Sequence, residues 1–253
     1  MKRFLKRISL ALMATAICAP AMAQPDTASA TLQVAAMPSA PITIGSIYWG
    51  TGFFVDRNGH VLTANHLVTN CASLDIVGNG RREEARVAAS NADADLSLLR
   101  VSETFGEPVA FDSGESLSGG AMVTILGYAP LGEALRSQGA MQPTLSNSMV
   151  LDDQSPKPED IALVSDANPG ASGSPVITRD GLVVGVLRAK IIREGTAAPG
   201  QPREIRLAAS GAAAKNFLRL NGVAPIEGRN APHARLMLIG DLAAAEVKVE
   251  CHR

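Results

Sequence analysis

The sequence predicts an all-β protein. Three observations carry that reading: from Ser46 onward short apolar runs are broken by turn residues, Asn-Gly and Asp-Gly pairs recur between those runs, and a single segment carries helix signals. Aromatic residues make up only 4% of the 253 positions, so Val, Ile and Leu have to fill the core.

The first element is a hairpin over Gly52 to Thr63. Phe53, Phe54 and Val55 lead into Asp56-Arg57-Asn58-Gly59, and His60, Val61 and Leu62 lead out; Asn-Gly supplies the positive φ angles of a tight turn. Strands are expected next at Ser73 to Val77, Glu84 to Ala88 and Leu96 to Val101, with Asn79-Gly80 as a turn. Gly119-Gly120 then separates a second series: Ala121 to Leu126, Ser146 to Leu151, Ile161 to Val164, Pro175 to Thr178, Leu182 to Leu187 and Glu204 to Ala208, with Asp180-Gly181 between two of them. Ser210 is placed to cap a helix over 211–220 that Asn221-Gly222 stops. The extension 223–253 has no assigned role; its Leu236 to Ile239 stretch and its Val247-Lys248-Val249 alternation are candidates for one or two extra strands.

The N-terminus reads as an export signal over residues 1–23. Lys2, Arg3, Lys6 and Arg7 precede an apolar run from Ile8 to Ala19, and Ala21-Met22-Ala23 has the small-residue pattern of a cleavage site. The run is shorter than the roughly 20 residues a spanning helix needs, so cleavage after Ala23, without stable membrane insertion, is expected. Ile17 before Cys18 argues against a lipid anchor. Residues 24–43 are rich in Ala, Ser, Thr, Pro and Gln and nearly uncharged, the composition of a flexible leader.

Losing the signal removes four of 23 basic residues and none of 24 acidic ones, a net charge of −5, which argues against a nucleic-acid partner. Export places the protein in the periplasm or outside the cell, where thiols oxidise. Cys71 and Cys251 remain after cleavage, 180 residues apart. Sequence carries no distance between them, so a disulfide and two free thiols both stay open.

Three segments carry chemistry. Gly170-Ala171-Ser172-Gly173-Ser174-Pro175 sets a serine in a glycine-flanked turn, where the N–H groups of Gly170 and Ser172 can meet a developing oxyanion. Leu62-Thr63-Ala64-Asn65-His66 ends a strand on an imidazole, a side chain whose reference pKa of about 6.5 suits a base. Asp95-Leu96-Ser97-Leu98-Leu99 opens a strand with a carboxylate able to hold that base in one tautomer. A nucleophile, a base, an orienting acid and oxyanion donors are what peptide hydrolysis requires, with no cofactor and no metal. Ser174 is a rival to Ser172, and Asp93 to Asp95; His60 sits in a turn, and His233 and His252 fall outside the domain.

In the order His66, Asp95, Ser172, these segments resemble the trypsin-like (chymotrypsin-fold) serine proteases, within them the bacterial HtrA type; Gly50-Thr51-Gly52-Phe53-Phe54-Val55 and Asp166-Ala167-Asn168-Pro169 add to the match over 46 to about 222. The resemblance implies two six-stranded antiparallel β-barrels, about 44–115 and 119–209, in a protease domain over 44–222 that includes the helix 211–220. It implies an exported serine endopeptidase acting on proteins or peptides, with His66, Asp95 and Ser172 as triad.

The chain departs from the family in three ways. Ser174 stands where a second glycine is usual, the tail has no counterpart, and about 30 residues after the helix are too few for the PDZ module of HtrA proteins. Similarity to trypsin puts Asp166 at the base of the P1 pocket, selecting Lys or Arg, while Arg188 falls on a wall of the same pocket where the two can pair; small apolar P1 residues are the alternative. A catalytically silent binding protein of the cell envelope is the competing function. An α/β-hydrolase is excluded by the His-Asp-Ser order and the missing final glycine of Gly-x-Ser-x-Gly.

Overall fold

The computed structural model describes residues 32–36, 47–114, 117–130, 141–152, 155, 157–193, 204–228 and 243–253. The export signal, most of the leader and the Leu236 to Ile239 stretch lie outside the described residues.

In chain order the strands are β1 (Leu32–Ala36), β2 (Ile47–Phe54), β3 (His60–Ala64), β4 (Ser73–Gly78), β5 (Arg81–Asn91), β6 (Leu96–Arg100), β7 (Met122–Pro130), β8 (Met141–Leu151), β9 (Asp160–Ser165), β10 (Pro175–Ile177), β11 (Val183–Arg193), β12 (Glu204–Ser210) and β13 (Glu246–His252). The described residues include the helices α1 (Asn65–Val68) and α2 (Gly211–Leu220). The turns form where the sequence places them. In the β2–β3 hairpin the Asp56 carboxylate accepts from the N–H groups of Asn58 and His60, and Gly59 takes a φ of +85°. Asn79 and Gly80 both have positive φ and join β4 to β5.

Six strands close the first barrel in the order β13-β2-β3-β6-β5-β4. The sixth strand comes from the C-terminal extension: β13 runs antiparallel to β2 on one side, Val249 opposite Gly50, and to β4 on the other, Val249 opposite Ile76. The extension is thus structurally part of the first barrel, which 44–115 alone does not complete. Alternation explains the fit. Val247, Val249 and Cys251 join Phe54, Val61, Ile76 and Leu99 in one buried cluster, while Glu246, Lys248 and Glu250 point to the opposite face.

The second barrel is the ring β11-β10-β7-β8-β9-β12, closed by pairing of β12 with β11. Strand β1 adds to it from within the segment read as a flexible leader, pairing with β11 from Leu32 opposite Arg193 to Ala36 opposite Ala189. Strand β10 covers β11 only from Val183 to Val186, which leaves the next stretch of edge hydrogen-bonding groups to be met by another strand. That pairing is made by main chain, so a segment poor in large apolar residues can supply it.

A cluster including Phe53, Leu62, Leu96 and Leu98 of the first barrel and Leu126, Ile177, Val183 and Val186 of the second holds the barrels together. Helix α2 is capped by Ser210, whose Oγ accepts from Ala213 N at 3.2 Å, and adds Ala214, Phe217 and Leu218 to the same cluster.

Candidate active site

The strand β3 delivers His66 into the first turn of the short helix α1, and the turn before β6 delivers Asp95 beside it. Asp95 adopts a φ of +52°, a left-handed conformation that Asp tolerates better than most residues. Both of its carboxylate oxygens are engaged by one residue: Oδ1 accepts from the His66 main-chain N–H at 2.8 Å, and Oδ2 lies 2.8 Å from His66 Nδ1. The Asp95 carbonyl accepts from Asn65 N at 3.1 Å, and Ser97 Oγ donates to Asn65 Oδ1 at 2.9 Å. The rival Asp93 is exposed, and its carbonyl takes up Lys157 Nζ. With Nδ1 facing a carboxylate, Nε2 is the nitrogen left for chemistry, and it is buried without a partner among the described residues.

The segment bearing Ser172 is bolted to both barrels. From the first, Thr51 N donates to Ser172 O and Thr51 Oγ1 donates to Gly170 O, each at 2.8 Å. From the second, Gly173 N donates to Leu187 O and Leu187 N to Ser174 O. Gly173 has no room for a side chain: a Cβ there would stand 2.0 Å from Thr51 O, 2.5 Å from Thr63 Oγ1 and 3.0 Å from Ala64 N, at a φ of +84°. The serine turn therefore rests directly on the strand end that leads into His66. Ser172 is 1% exposed, and its Oγ, like His66 Nε2, has no hydrogen-bond partner among the described residues. The N–H groups of Gly170 and Ser172 likewise donate to no protein acceptor among the described residues.

Asp166 and Arg188 do not meet. Asp166 is exposed. Arg188 occupies a bulge in β11, where Leu187 pairs with Ala208 and Ala189 with Leu207, and its guanidinium bonds the buried carboxylate of Asp160 on β9. Burial raises the Asp160 pKa against the opposing pull of Arg188. The pairing foreseen between Arg188 and Asp166 does not form; Arg188 sits at the bulge in β11 and its partner is Asp160 on β9.

Cys71 and Cys251 are joined, with Cα atoms 5.3 Å apart, so β13 is tied to the chain just beyond α1. Two residues that hold the serine segment were given no role by the sequence. Thr51 is one, although it lies in the Gly50 to Val55 stretch that carries the resemblance; Arg206 on β12 is the other, and its Nη2 donates to Ala167 O at 2.9 Å. Finding Arg206 requires the register of β12 against β9 and β11, which no local pattern encodes.

Residues 50–186 match the trypsin-like peptidase domain family. An uncharacterized protein of Sinorhizobium fredii, y4bJ, is 31% identical over 82% of this chain, and the chain spans 32% of that protein. A probable periplasmic serine endoprotease, DegP-like, of Marinomonas is 30% identical over 54% of the chain, which covers 29% of that relative. Among solved structures, the serine endoprotease of Yersinia pestis superposes with a TM-score of 0.53 at 20% identity, over 68% of this chain and 57% of that one. An inactive form of Rv3671c of Mycobacterium tuberculosis gives 0.51 at 22%, over 79% and 95%. At those identities the two structures establish the double-barrel fold, and the family match over more than half of the sequence establishes that this chain belongs to the trypsin-like peptidases, with HtrA/DegP-like serine proteases among its relatives.

Proposed function

We propose that the chain is an exported serine endopeptidase in which Ser172 is the nucleophile, His66 the base and Asp95 the group that orients the base. The observation that carries the reading is the double hold of Asp95 on His66, which leaves Nε2 as the ring nitrogen able to take a proton. Each buried polar atom without a partner costs about 1–3 kcal/mol. Ser172 Oγ and His66 Nε2 are two such atoms, and a hydrogen bond between them relieves both costs. Catalytic hydrogen bonds of this kind often tighten only when substrate is bound.

In the reaction, Ser172 Oγ forms a bond to the scissile carbonyl carbon as its proton passes to Nε2. The carbonyl oxygen takes up the negative charge and accepts from Gly170 N–H and Ser172 N–H, donors worth roughly 3–4 kcal/mol each to the transition state. Collapse breaks the C–N bond, with the Nε2 proton going to the departing amine. Water, deprotonated by the same nitrogen, then hydrolyses the ester and restores Ser172. Asp95 stabilises the imidazolium in both halves and stays ionised.

The N-terminal signal and the Cys71–Cys251 bridge both fit an oxidising compartment, and the periplasm is the proposed site of action on protein or peptide substrates. The absent bond between Ser172 and His66 is what favours the second reading, a silent binding protein of the cell envelope. A fluorophosphonate probe separates the two. Labelling of the mature protein that disappears in Ser172→Ala supports the peptidase, and no labelling of folded wild type supports the binder.

A further inference from the structure

Strand β1 and the serine turn lie on one edge of β11. Strand β12 takes the other edge from Gly185 to Ile192, so β10 and β1, which overlap it in register, share the opposite one. Along that edge β10 pairs from Val183 to Val186, the serine turn follows at Leu187, and β1 covers Ala189 to Arg193. The bonds at Leu187 are main chain: Gly173 N donates to Leu187 O at 2.7 Å, and Leu187 N to Ser174 O at 2.8 Å. Ser174 directly precedes β10, so these bonds continue the same edge.

Direction matters as much as place. Strand β1 runs from Leu32 opposite Arg193 to Ala36 opposite Ala189, so its C-terminal end is the end nearer Leu187 and the serine turn. The part of a peptide that Ser172 would hold as an acyl group precedes the scissile bond, and it too meets the serine with its C-terminal end. A peptide added as an antiparallel strand to Ala189–Arg193 therefore runs as β1 does and uses the same main-chain groups. An edge pairs with one strand at a time, so the two exclude each other. Strand β1 is also built to leave: it has five residues and lies outside both closed rings, whose pairings are kept without it.

Resting on the peptidase reading above, we propose that β1 occupies in cis the edge of β11 on which an extended peptide substrate docks, so that the leader restrains its own active site as a competing strand. Main-chain pairing asks little of side chains, so a peptide of another sequence can take the place of Leu32–Ala36. The restraint acts on binding and leaves the chemical step untouched.

The full mature chain from Gln24, with Gln33→Pro and Val34→Pro combined, tests this. Successive N–H groups of a strand point to opposite edges, so the pair of prolines removes one donor toward β11 whichever of the two faces it. In the Ser172→Ala background, a fluorescein-labelled peptide of residues 31–36 is titrated by anisotropy. A tethered segment has an effective concentration on the order of 1 mM, so one that docks with a dissociation constant of about 0.1 mM weakens a competitor about tenfold. The peptide should therefore bind the proline variant about tenfold more tightly than the parent. With Ser172 in place, hydrolysis of a reduced, carboxymethylated protein should show KM lower by a similar factor and kcat within about twofold, the mark of an effect on binding alone. Equal binding to parent and variant, or binding to neither, overturns the proposal, as does a change in kcat with KM unmoved. Should the variant not fold, hydrogen exchange over residues 32–36 of the parent decides: slowed exchange supports β1 as the occupant, and free-chain rates remove it. Fluorophosphonate labelling of wild type is read separately. Tighter peptide binding without labelling sinks the peptidase reading alone, and labelling with equal binding sinks the competing strand alone.

Discussion

Replacing both Cys71 and Cys251 by alanine should destabilise the protein by about 5 kcal/mol, and the size follows from where β13 sits. The strand belongs to a barrel whose other five strands end at Arg100, yet it is made by the last residues of the chain. The bridge spans 180 residues, and the loop-closure relation converts that separation to about 5 kcal/mol at 25 °C, the top of the 2–5 kcal/mol lost with native disulfides. In a domain of this size each kcal/mol moves the melting temperature by roughly 2–4 °C, so the fall should be about 10–20 °C. Trp49 is the sole tryptophan and stands opposite Glu250 on the neighbouring strand, so its fluorescence reports directly on β13 docking. Urea titrations of oxidised wild type and the double variant, followed at Trp49 and by far-ultraviolet circular dichroism, give the difference. A loss below about 1 kcal/mol would refute the view that covalent closure recruits β13.

Other consequences are open to the same kind of measurement. Asp95→Asn should fold normally and lower kcat about 10⁴-fold, because an amide holds the wrong tautomer of His66; wild-type turnover by this variant in a peptide assay would remove Asp95 from the mechanism. Gly173→Ala should cost several kcal/mol in a denaturant titration, about 1–2 from its φ of +84° and the rest from pressing a methyl on the Thr51 carbonyl. Glu246 is fully buried, neither carboxylate oxygen has a partner among the described residues, and burial raises its pKa well above the usual value. Burial, and after it the charge of Glu246, raise the pKa of the half-buried Tyr128. An acid with a raised folded-state pKa favours the native state at low pH and costs stability as pH climbs above the unfolded value of about 4.3. Glu246→Met should therefore stabilise by about 1–3 kcal/mol at pH 8 and by less at pH 4, and melting curves with the same gain at both would contradict the sign.

Most strands and both pieces of the His66–Asp95 pair were legible in the residues, because each depends on local chemistry. Asn79-Gly80 makes a hairpin turn wherever it sits, Ser210 caps the helix it precedes, and the strand ending at Ala64 presents His66 without help from distant segments. The Val247-Lys248-Val249 alternation announced a strand in the same way.

What that strand pairs with could not be read from it, since an alternating segment fits any barrel face that lacks a neighbour. Only tertiary structure brought β13 between β2 and β4, attached β1 to the uncovered stretch of β11, and paired Arg188, at a bulge, with Asp160. The sequence by itself determined an all-β chain, its turns, its helix and the types of residue that carry chemistry. Which side chains meet was decided by register between strands far apart in the chain, where one residue of slip reverses every inward and outward face.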